Sequence, residues 1–389
     1  MKIAHIIMDE KFPDSAFEMF ESVAPHANDF ILPDLDSPIK NLKKVNPVRV
    51  SKFSYLNGKF INKLNNYDAL IIHGMNKFSI ELINRCRKTM PVYWIGMGFD
   101  YYDIIYNSAS EMLKAATNDI VINNSFWSNL RRSKIISLIK YCRDKILYPN
   151  SIRKETGILR VDYFCPVLES EFHSVLNKVN GWNPKYIDWN YANSSNLVDC
   201  KFGNDFSMGK NILLGNSSTP TNNHLDAIRF LKKYEHHLNE SSKIIAPLSY
   251  GDMNYRNVVI NEGVKRFGDR FYPLTEMLTV NEYNRVLESC GLVFMNHLRQ
   301  QAGNNIAQAL FMGARVILDS KNPFYTDYKQ RGVYLNSIED INKTPELLSQ
   351  PLTYKERLFN RIHLRKARGS ETALFKTKIL IESINSSKK

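Results

Sequence analysis

The chain has 389 residues, with 52 Lys and Arg against 39 Asp and Glu, a net charge of +13 and a pI near 9.3. At roughly 100–200 residues per domain, this length predicts two domains. A hydrophobic fraction of 43% and a charged fraction of 23% exclude an intrinsically disordered chain. The first apolar run is broken by His5 and Asp9, and no run reaches the roughly 18 residues of a membrane span. We therefore expect a cytoplasmic protein without a signal peptide.

The cysteines and histidines show no metal-binding or disulfide pattern. The five cysteines lie far apart and form no CxxC pair, and the nine histidines include no HExxH motif. We therefore predict no disulfide framework and no metal. The net positive charge is compatible with nucleic acid, an anionic membrane surface or a phosphate-bearing substrate, and also with a basic surface of no function.

In the first half, short apolar runs alternate with helical patterns. Strands are predicted at residues 2–8, 69–73, 91–96, 120–122 and 157–161. Asp14 is predicted to cap the first helix. Strands that alternate with helices are typical of βαβ units and parallel sheets.

Residues 190–210 are rich in polar turn formers and predict a linker, after which the alternation restarts. Further strands are predicted at residues 211–214, 243–247, 271–274, 292–296 and 315–318. Thr279 and Glu282 form a capping box, Gly313 ends a helix, and residues 354–384 are predicted to be helical.

The fold class is thus α/β, with two doubly wound Rossmann-like domains and a cleft between them where ligands bind. We predict one α/β domain at residues 1–200 and a second at residues 201–345. A helical tail at residues 346–389 is expected to pack back across the domains.

The strongest local feature is a strand, a polar turn and a helix at residues 292–312. Arg299 lies in the turn, and Gly303 allows close approach of the backbone to a ligand. Backbone N–H groups at the start of the helix suit a diphosphate, and Arg299 adds a bidentate cation. A plain βα turn with an exposed Arg is the alternative.

Other strand ends in the second half carry polar residues. Gly215, Asn216 and Ser217 follow one predicted strand, and Ser249 and Tyr250 follow another. The chain contains neither GxGxxG nor GxxxxGK[ST], so a dinucleotide fingerprint and a P-loop are excluded. A Tyr250 ring in this position could stack on a base, although tyrosine is common in such loops.

In the first half, His73 and Asp100 follow predicted strands. Either side chain could orient an acceptor hydroxyl or take its proton, and both are candidate catalytic residues. A buried structural histidine is the alternative for His73, and Asp9 is a weaker candidate of the same kind.

Residues 127–160 carry nine Lys or Arg against Asp144 and Glu155. Interleaved aromatic and aliphatic side chains make this stretch suitable for an anionic membrane surface. The predicted membrane-facing residues are Trp127, Arg131, Arg132 and Lys134. A core helix with a solvated basic face is the alternative.

The second half resembles the bacterial 4-acetamido-4,6-dideoxygalactose (Fuc4NAc) transferases of glycosyltransferase family 56. Matching segments in this half are Ile212-Leu-Leu-Gly-Asn-Ser-Ser, Asn223-His224, Ala246-Pro247-Leu-Ser-Tyr250-Gly, Tyr283 with Cys290, Arg299-Gln-Gln-Ala-Gly303, Gly313 and Asn322-Pro323-Phe324. In the first half, His73-Gly74 and Gly98-Phe-Asp100-Tyr-Tyr102 match in type and order. Residues 1–65 and 185–210 match less closely.

The resemblance implies a glycosyltransferase of the two-domain B type, acting in O-antigen or enterobacterial common antigen biosynthesis. It also implies that the domain at residues 1–200 binds the acceptor and the domain at residues 201–345 binds the nucleotide-sugar. The donor would be a dTDP-sugar carrying Fuc4NAc or a related 4- or 3-amino-6-deoxyhexose, and the acceptor an undecaprenyl-diphosphate-linked glycan. The enzyme would work without a metal or cofactor, peripherally on the cytoplasmic face of the inner membrane. Donor contacts implied by the resemblance are Arg299, Gln300, Gln301, Gly303, Asn304, Gly215, Asn216, Ser217, Ser249, Tyr250 and Asn322.

Two other functions are weighed against this one. A second B-type transferase would use a UDP- or GDP-sugar and another acceptor. A nucleic-acid-binding protein would explain the basic pI and the aromatics, but the chain has no helix-turn-helix, RRM or KH signature. We therefore expect no nucleic-acid partner.

Overall fold

The computed structural model describes residues 1–121, 143–152, 154–191 and 209–387. The chain divides into two compact units. Unit 1 contains residues 1–105, 131–195 and 368–389, and unit 2 contains residues 106–130 and 196–367.

Unit 1 is built on a seven-stranded sheet of order β3-β2-β1-β4-β5-β6-β7, in which every described pair of strands is parallel. Its strands are β1 (Ile3–Ile6), β2 (Asn28–Leu32), β3 (Val48–Arg49), β4 (Ala69–His73), β5 (Val92–Ile95), β6 (Tyr163–Cys165) and β7 (Lys185–Tyr186). Its described α-helices are Pro13–Val23, Gly58–Leu64, Lys77–Arg85, Tyr102–Ile105, Glu155–Ile158, Glu169–Leu176 and Ser370–Ser386.

Unit 2 is built on a six-stranded parallel sheet of order β10-β9-β8-β11-β12-β13. Its strands are β8 (Asn211–Leu214), β9 (Ile244–Pro247), β10 (Phe271–Leu274), β11 (Cys290–Met295), β12 (Arg315–Leu318) and β13 (Asn336–Ser337). Its α-helices with assigned bounds are His224–Lys233, Met253–Phe267, Val280–Glu288, Gly303–Met312, Pro323–Gln330, Ile338–Lys343 and Tyr354–Arg368, whose last residue lies in unit 1.

The strand order of unit 2 is that of a doubly wound nucleotide-binding domain. Chain direction across the sheet reverses between β8 and β11, and ligands in such sheets bind beyond the carboxyl ends of the strands at this switch point. The loops that follow β8 and β11 are therefore the ones on which a site is expected.

Two segments lie far in sequence from most of the unit to which they belong. The C-terminal helix Ser370–Ser386 packs in the core of unit 1, where Trp189 Nε1 donates to Thr377 Oγ1 at 2.8 Å. Ala116 lies in the core of unit 2, where its backbone N–H and that of Thr117 donate to the Asp226 carboxylate at 2.9 and 3.0 Å.

Three local predictions were wrong. Residues 157–161 include part of the helix Glu155–Ile158, and the strand is β6, immediately after Asp162. Ile120 is helical as well. Asp14 does not cap the first helix, because Pro13 occupies its first turn and the Asp14 carboxylate accepts from the backbone N–H groups of residues 43–45. By contrast, the capping box of Thr279 and Glu282 is confirmed, and Gly313 follows the last helical residue, Met312.

Candidate donor site

The loop after β8 in unit 2 begins with a glycine that no other residue could replace easily. Gly215 has a φ of +68°, and a Cβ at this position would lie 2.6 Å from His224 Nε2. Only glycine adopts such a φ without strain, and the close packing excludes even a methyl group. The backbone of the turn therefore runs directly over the His224 ring.

Polar side chains from three strand ends meet beside this turn. Asn216 Nδ2 donates to Tyr250 Oη at 3.1 Å, and Gln301 Nε2 donates to Asn216 Oδ1 at 2.9 Å. Gln301 Oε1 in turn accepts from Thr221 Oγ1 at 2.7 Å. The Tyr250 side chain is 49% exposed, so its ring has one accessible side. These hydrogen bonds thus connect the loops after β8, β9 and β11 at one edge of the sheet.

The turn after β11 carries Arg299 and leads into the N-terminus of a helix. Ala302 has a φ of +58° and precedes the helix Gly303–Met312, whose first N–H groups have no intrahelical acceptor. Arg299 is half-buried and its Nη1 donates to the Gln300 carbonyl at 3.2 Å. The guanidinium and the helix dipole are therefore carried on the same short turn, as anion binding requires.

Asn322 fixes the shape of the same turn through hydrogen bonds to its backbone carbonyl groups. Its buried Nδ2 donates to the carbonyl oxygens of His297 and Arg299, both at 3.1 Å, and its Oδ1 accepts from Phe324 N at 2.9 Å. The structure thus places Asn322 in a positioning role behind Arg299. Ser217 is also buried, and it bonds to Thr219 Oγ1 and Asn222 Nδ2.

Gly303 packs edge-on against Phe324, which leads to a stability prediction. A Cβ at residue 303 would lie 2.5 Å from Phe324 Cζ, inside a fully buried ring contact. We expect Gly303→Ala to lower the free energy of unfolding by about 1–3 kcal/mol through overpacking, measured by urea titration. Gly58→Ala, where nothing lies within 4 Å, is the matched control and should be neutral. Recovery in Gly303→Ala/Phe324→Leu would confirm the cause, and an unchanged midpoint in the single variant would contradict it.

Two buried histidines support the turn after β8, and neither was predicted as a site residue. His297 Nε2 lies 2.7 Å from Asn222 Oδ1, which also accepts from Asn216 N at 2.9 Å. Because this oxygen only accepts, the Nε2 of His297 carries the proton, and Nδ1 is an acceptor with no partner among the described residues. Neither ring nitrogen of His224 has a hydrogen-bond partner in the part of the chain that the structure describes. Burial lowers the pKa of His224 to about 3 and that of His297 far below its usual range, the latter helped by Arg299.

Lys114 is a second cation that the sequence patterns did not reveal. Its Nζ lies 2.5 Å from Asp319 Oδ2 and donates to Asn296 Oδ1 at 2.5 Å, at the ends of β12 and β11. Its backbone N–H donates to Asn223 Oδ1 at 2.8 Å. Residue 114 is distant in sequence from this edge, and only the return of residues 106–121 to unit 2 brings it there.

In unit 1, Asp100 lies in the interior of the loop that follows β5. Its carboxylate is 2% exposed, and it accepts from Met75 N and Trp94 Nε1 at 2.7 Å and from Met97 N at 2.8 Å. Burial raises the pKa of Asp100 in spite of these bonds. The arrangement ties the loops after β4 and β5 together, and a direct role as a base stays a prediction. Asp9 ties a loop in the same way, since it accepts from the N–H groups of residues 40–42.

His73 belongs to a buried hydrogen-bonded chain. His73 Nε2 lies 2.9 Å from His5 Nδ1, His73 Nδ1 contacts the Tyr191 hydroxyl, and His5 Nε2 lies 3.2 Å from Asn28 Oδ1. Asn28 Nδ2 donates to Glu21 Oε1 and to the Ala24 carbonyl, so Asn28 Oδ1 faces His5 as an acceptor. This requires protons on Nε2 of both histidines and makes Tyr191 the donor to His73. Burial lowers the pKa of His5 to about 3 and keeps His73 neutral.

The remaining predictions concern the membrane-facing segment, metal binding, membrane spans and three further donor contacts. Trp127, Arg131, Arg132 and Lys134 lie outside the described residues, so the membrane-facing role of this segment stays a prediction. Within residues 1–121, 143–152, 154–191 and 209–387, no group of three or more His, Cys, Asp or Glu is placed to hold a metal ion. Over those same ranges, no helix combines the length and the apolar character needed to cross a membrane. Ser249 lies in the loop after β9, Gln300 lies in the turn after β11, and Asn304 lies in the first turn of the helix Gly303–Met312.

Comparison with solved structures supports the fold over the whole chain. A glycosyltransferase from Rickettsia africae ESF-5 is 12% identical with a TM-score of 0.64, over 99% of this chain and 98% of that one. Trehalose-6-phosphate synthase OtsA is 9% identical with a TM-score of 0.60, over 99% of both chains. The Anabaena protein Alr3699/HepE, solved with UDP and glucose, is 11% identical with a TM-score of 0.59, over 100% of both chains.

The two Rossmann-like units and these structural neighbours confirm the predicted fold class, the two-domain fold of B-type glycosyltransferases. The family model for 4-alpha-L-fucosyltransferase, glycosyl transferase group 56, matches residues 191–349. This match confirms the family-level resemblance for the second half of the chain. The matched segment includes the loops after β8, β9 and β11.

Proposed function

We propose that this glycosyltransferase moves a deoxyaminosugar, Fuc4NAc or a related 4- or 3-amino-6-deoxyhexose, from a dTDP-sugar to an undecaprenyl-diphosphate-linked glycan. The observation that carries the proposal is the edge of unit 2, where the Gly215 turn, the Arg299 turn and the start of the helix Gly303–Met312 meet at the switch point. The family match to a sugar transferase group supports the same reading.

The residues at this edge have distinct roles in the proposal. Arg299 and the N–H groups at the start of the helix Gly303–Met312 bind the donor diphosphate, and the half-exposed Tyr250 ring stacks on the base. Asn216 and Gln301 hold each other in place and direct their remaining hydrogen-bonding groups at the sugar. During transfer, the bond from the anomeric carbon to the diphosphate oxygen breaks, and a bond to an acceptor hydroxyl forms. The acceptor proton and dTDP leave as products.

The proposed mechanism uses no metal ion. Negative charge grows on the leaving diphosphate as the sugar bond breaks, and fixed donors that face this charge lower the barrier without reorganising. Arg299 and the helix dipole supply such donors within one turn of chain. Lys114, held by Asp319 and Asn296 at the same edge, adds a second positive charge close to the strand ends.

The acceptor is assigned to unit 1. His73 is the last residue of β4 and Asp100 lies in the loop after β5, at the carboxyl ends of neighbouring parallel strands. We propose that His73, whose ring nitrogens are held by His5 and Tyr191, and the buried Asp100 act by fixing the loops that position the acceptor hydroxyl. The protein would meet this lipid-linked acceptor peripherally, on the cytoplasmic face of the inner membrane, and the +13 net charge supports an anionic surface there.

The donor proposal is tested with a panel of nucleotides. Thermal unfolding is measured with dTDP, UDP and GDP at equal concentration, and dTDP is expected to raise the melting temperature most. Turnover of dTDP-Fuc4NAc with a lipid-diphosphate acceptor is then followed by dTDP release, and the anomeric configuration of the product is determined by NMR. The largest shift with UDP, the nucleotide bound in the Anabaena neighbour, would overturn the dTDP assignment and leave the transferase intact.

A further inference from the structure

The helix Tyr354–Arg368 packs a mixed polar and apolar face on unit 2. Its buried residues are Asn360, Arg361 and Leu364. Asn360 Oδ1 accepts from Tyr334 N at 2.8 Å, and its Nδ2 donates to Tyr334 O at 2.9 Å. Arg361 Nε donates to the Phe311 carbonyl at 3.1 Å, and its guanidinium lies 5.4 Å from the Phe311 ring. Polar contacts thus anchor the helix to its own unit.

The opposite face of this helix is exposed and apolar. Leu358, Phe359 and Ile362 are 37%, 42% and 60% exposed, and Tyr354 is 61% exposed. Tyr354, Leu358 and Ile362 follow one another at four-residue steps, which places them on one line along the helix. Single exposed apolar residues are common on protein surfaces, but a contiguous stripe marks an interaction surface.

Basic side chains lie among these apolar residues. Lys355, Arg365 and Lys366 are exposed beside them, and the Arg365 guanidinium also lies 5.7 Å from the centre of the Phe311 ring. The half-buried Glu356 is the one acidic residue of the helix. We name the docking face as the exposed residues Tyr354, Lys355, Leu358, Phe359, Ile362, Arg365 and Lys366. It presents three cations and no carboxylate.

We propose that the docking face binds an anionic lipid bilayer. A helix that lies in the plane of a membrane inserts its apolar side chains among the acyl chains and pairs its cations with the headgroups. Lysine and arginine have long aliphatic stems, so their charges reach the headgroups while the stems lie along the apolar residues. A protein partner would have to supply an apolar groove rimmed by carboxylates, whereas an anionic bilayer offers both features on any patch of its surface.

The docking face does not include residues 127–134, and it lies on unit 2. The inference stands on the exposure and charge of one described helix, and it does not depend on the identity of the donor. Where the acceptor is lipid-linked, this contact would hold the donor-binding unit at the membrane together with its acceptor.

The test is sedimentation of the full chain with vesicles, in the absence of any nucleotide-sugar. Wild-type protein should sediment with vesicles of phosphatidylglycerol and phosphatidylcholine in a roughly 1:2 ratio, and far less with pure phosphatidylcholine. Leu358→Ser/Ile362→Ser should weaken vesicle binding at least tenfold, because it removes the inserted side chains. Lys355→Gln/Arg365→Gln should weaken it about twenty-five-fold at low salt, at roughly fivefold per cation.

The matched control is Val264→Ser/Lys265→Gln, which makes the same kinds of change on the exposed end of the helix Met253–Phe267. It should bind vesicles as the wild type does. Equal binding by wild type and the Leu358/Ile362 variant would overturn the proposal, as would an equal loss in the control. Sedimentation equilibrium without lipid supplies the other outcome: a wild-type dimer that the Leu358/Ile362 variant converts to monomer would assign the face to a second copy. Melting temperatures with dTDP in the same variants separate these outcomes from failure of the donor site.

Discussion

Lowering the pH from 7.5 to 5.5 is expected to remove about 3 kcal/mol of stability from unit 2 through two histidines that are buried in the neutral form. His224 and His297 are 0% exposed, and burial lowers the pKa of His224 to about 3 and that of His297 further below its usual range. In the unfolded chain each ring takes up a proton near pH 6.5. Each therefore contributes stability that is complete above pH 6.5 and is lost as the pH falls.

The size of the effect follows from proton linkage. Below pH 6.5 the unfolded state binds one more proton per histidine than the folded state, so each costs about 1.4 kcal/mol per pH unit. His5 and His73 act with the same sign in unit 1. Asp100 opposes them there, since its raised pKa lets the folded state take up a proton as well. Unit 2 should therefore show the steeper acid dependence.

Urea titrations at pH 7.5, 6.5 and 5.5 measure this effect. His224→Leu is the decisive variant, because the His224 ring has no hydrogen bond to lose. It should be as stable as the wild type at pH 7.5 and lose about 1.4 kcal/mol less on going to pH 5.5. His173→Leu, at an exposed position of unit 1, is the control and should leave the difference unchanged. A wild-type unfolding midpoint that is the same at all three pH values would contradict the buried neutral histidines.

Most strands of unit 2 could be predicted because each is a short apolar run bounded by polar turn residues. The runs at residues 211–214, 271–274 and 315–318 are strands with those bounds. In unit 1, Gly157 and Ile158 are apolar for a different reason. A Cβ at residue 157 would lie 2.9 Å from Ile80, so this short helix is apolar because it packs closely on its neighbour. Periodicity over so few residues does not distinguish the two cases.

The candidate site could be predicted where it lies on a strand-turn-helix unit, as at Arg299 and Gly303. Lys114 could not be, because its role depends on the return of residues 106–121 to unit 2. The chain from Tyr191 through His73 to His5 also spans widely separated positions, and no local pattern joins them. His224 carried a local signal, since it follows Asn223 at the start of a helix, but only its burial shows its relation to Gly215.

The positions of these unpredicted residues share one physical cause. His224 and His297 lie beneath the loops after β8 and β11, Lys114 lies at the ends of β11 and β12, and His73 ends β4. Parallel strands leave polar backbone groups at their carboxyl ends, which side chains from distant segments then satisfy. These residues contact the loops that the sequence motifs identify. They are therefore recognised from the hydrogen bonds of those loops in the structure and not from the sequence around each residue.

Arg299→Ala is expected to lower the turnover of the donor sugar by at least tenfold, and about a hundredfold if the guanidinium faces the leaving diphosphate directly. Arg299 lies on the turn that leads into the helix Gly303–Met312, and in the proposed mechanism negative charge develops at the start of this helix as the sugar bond breaks. Because this charge is greater in the transition state than in the bound donor, the loss should fall mainly on kcat. Arg299→Lys should recover only part of it, since an ammonium cannot form the bidentate pair.

Steady-state kinetics with a saturating acceptor separates kcat from KM. The melting temperature of each variant with and without dTDP reports folding and nucleotide binding. The carbonyl oxygen of Arg299 accepts from Asn322 Nδ2, and this contact does not depend on the side chain at residue 299, so the turn should keep its shape in the variant. Arg266→Ala, which breaks a surface pair with Glu262, is the matched control and should turn over as the wild type does. Unchanged turnover in Arg299→Ala with an intact melting curve would remove this turn from the diphosphate site and leave Lys114 as the cation at that edge.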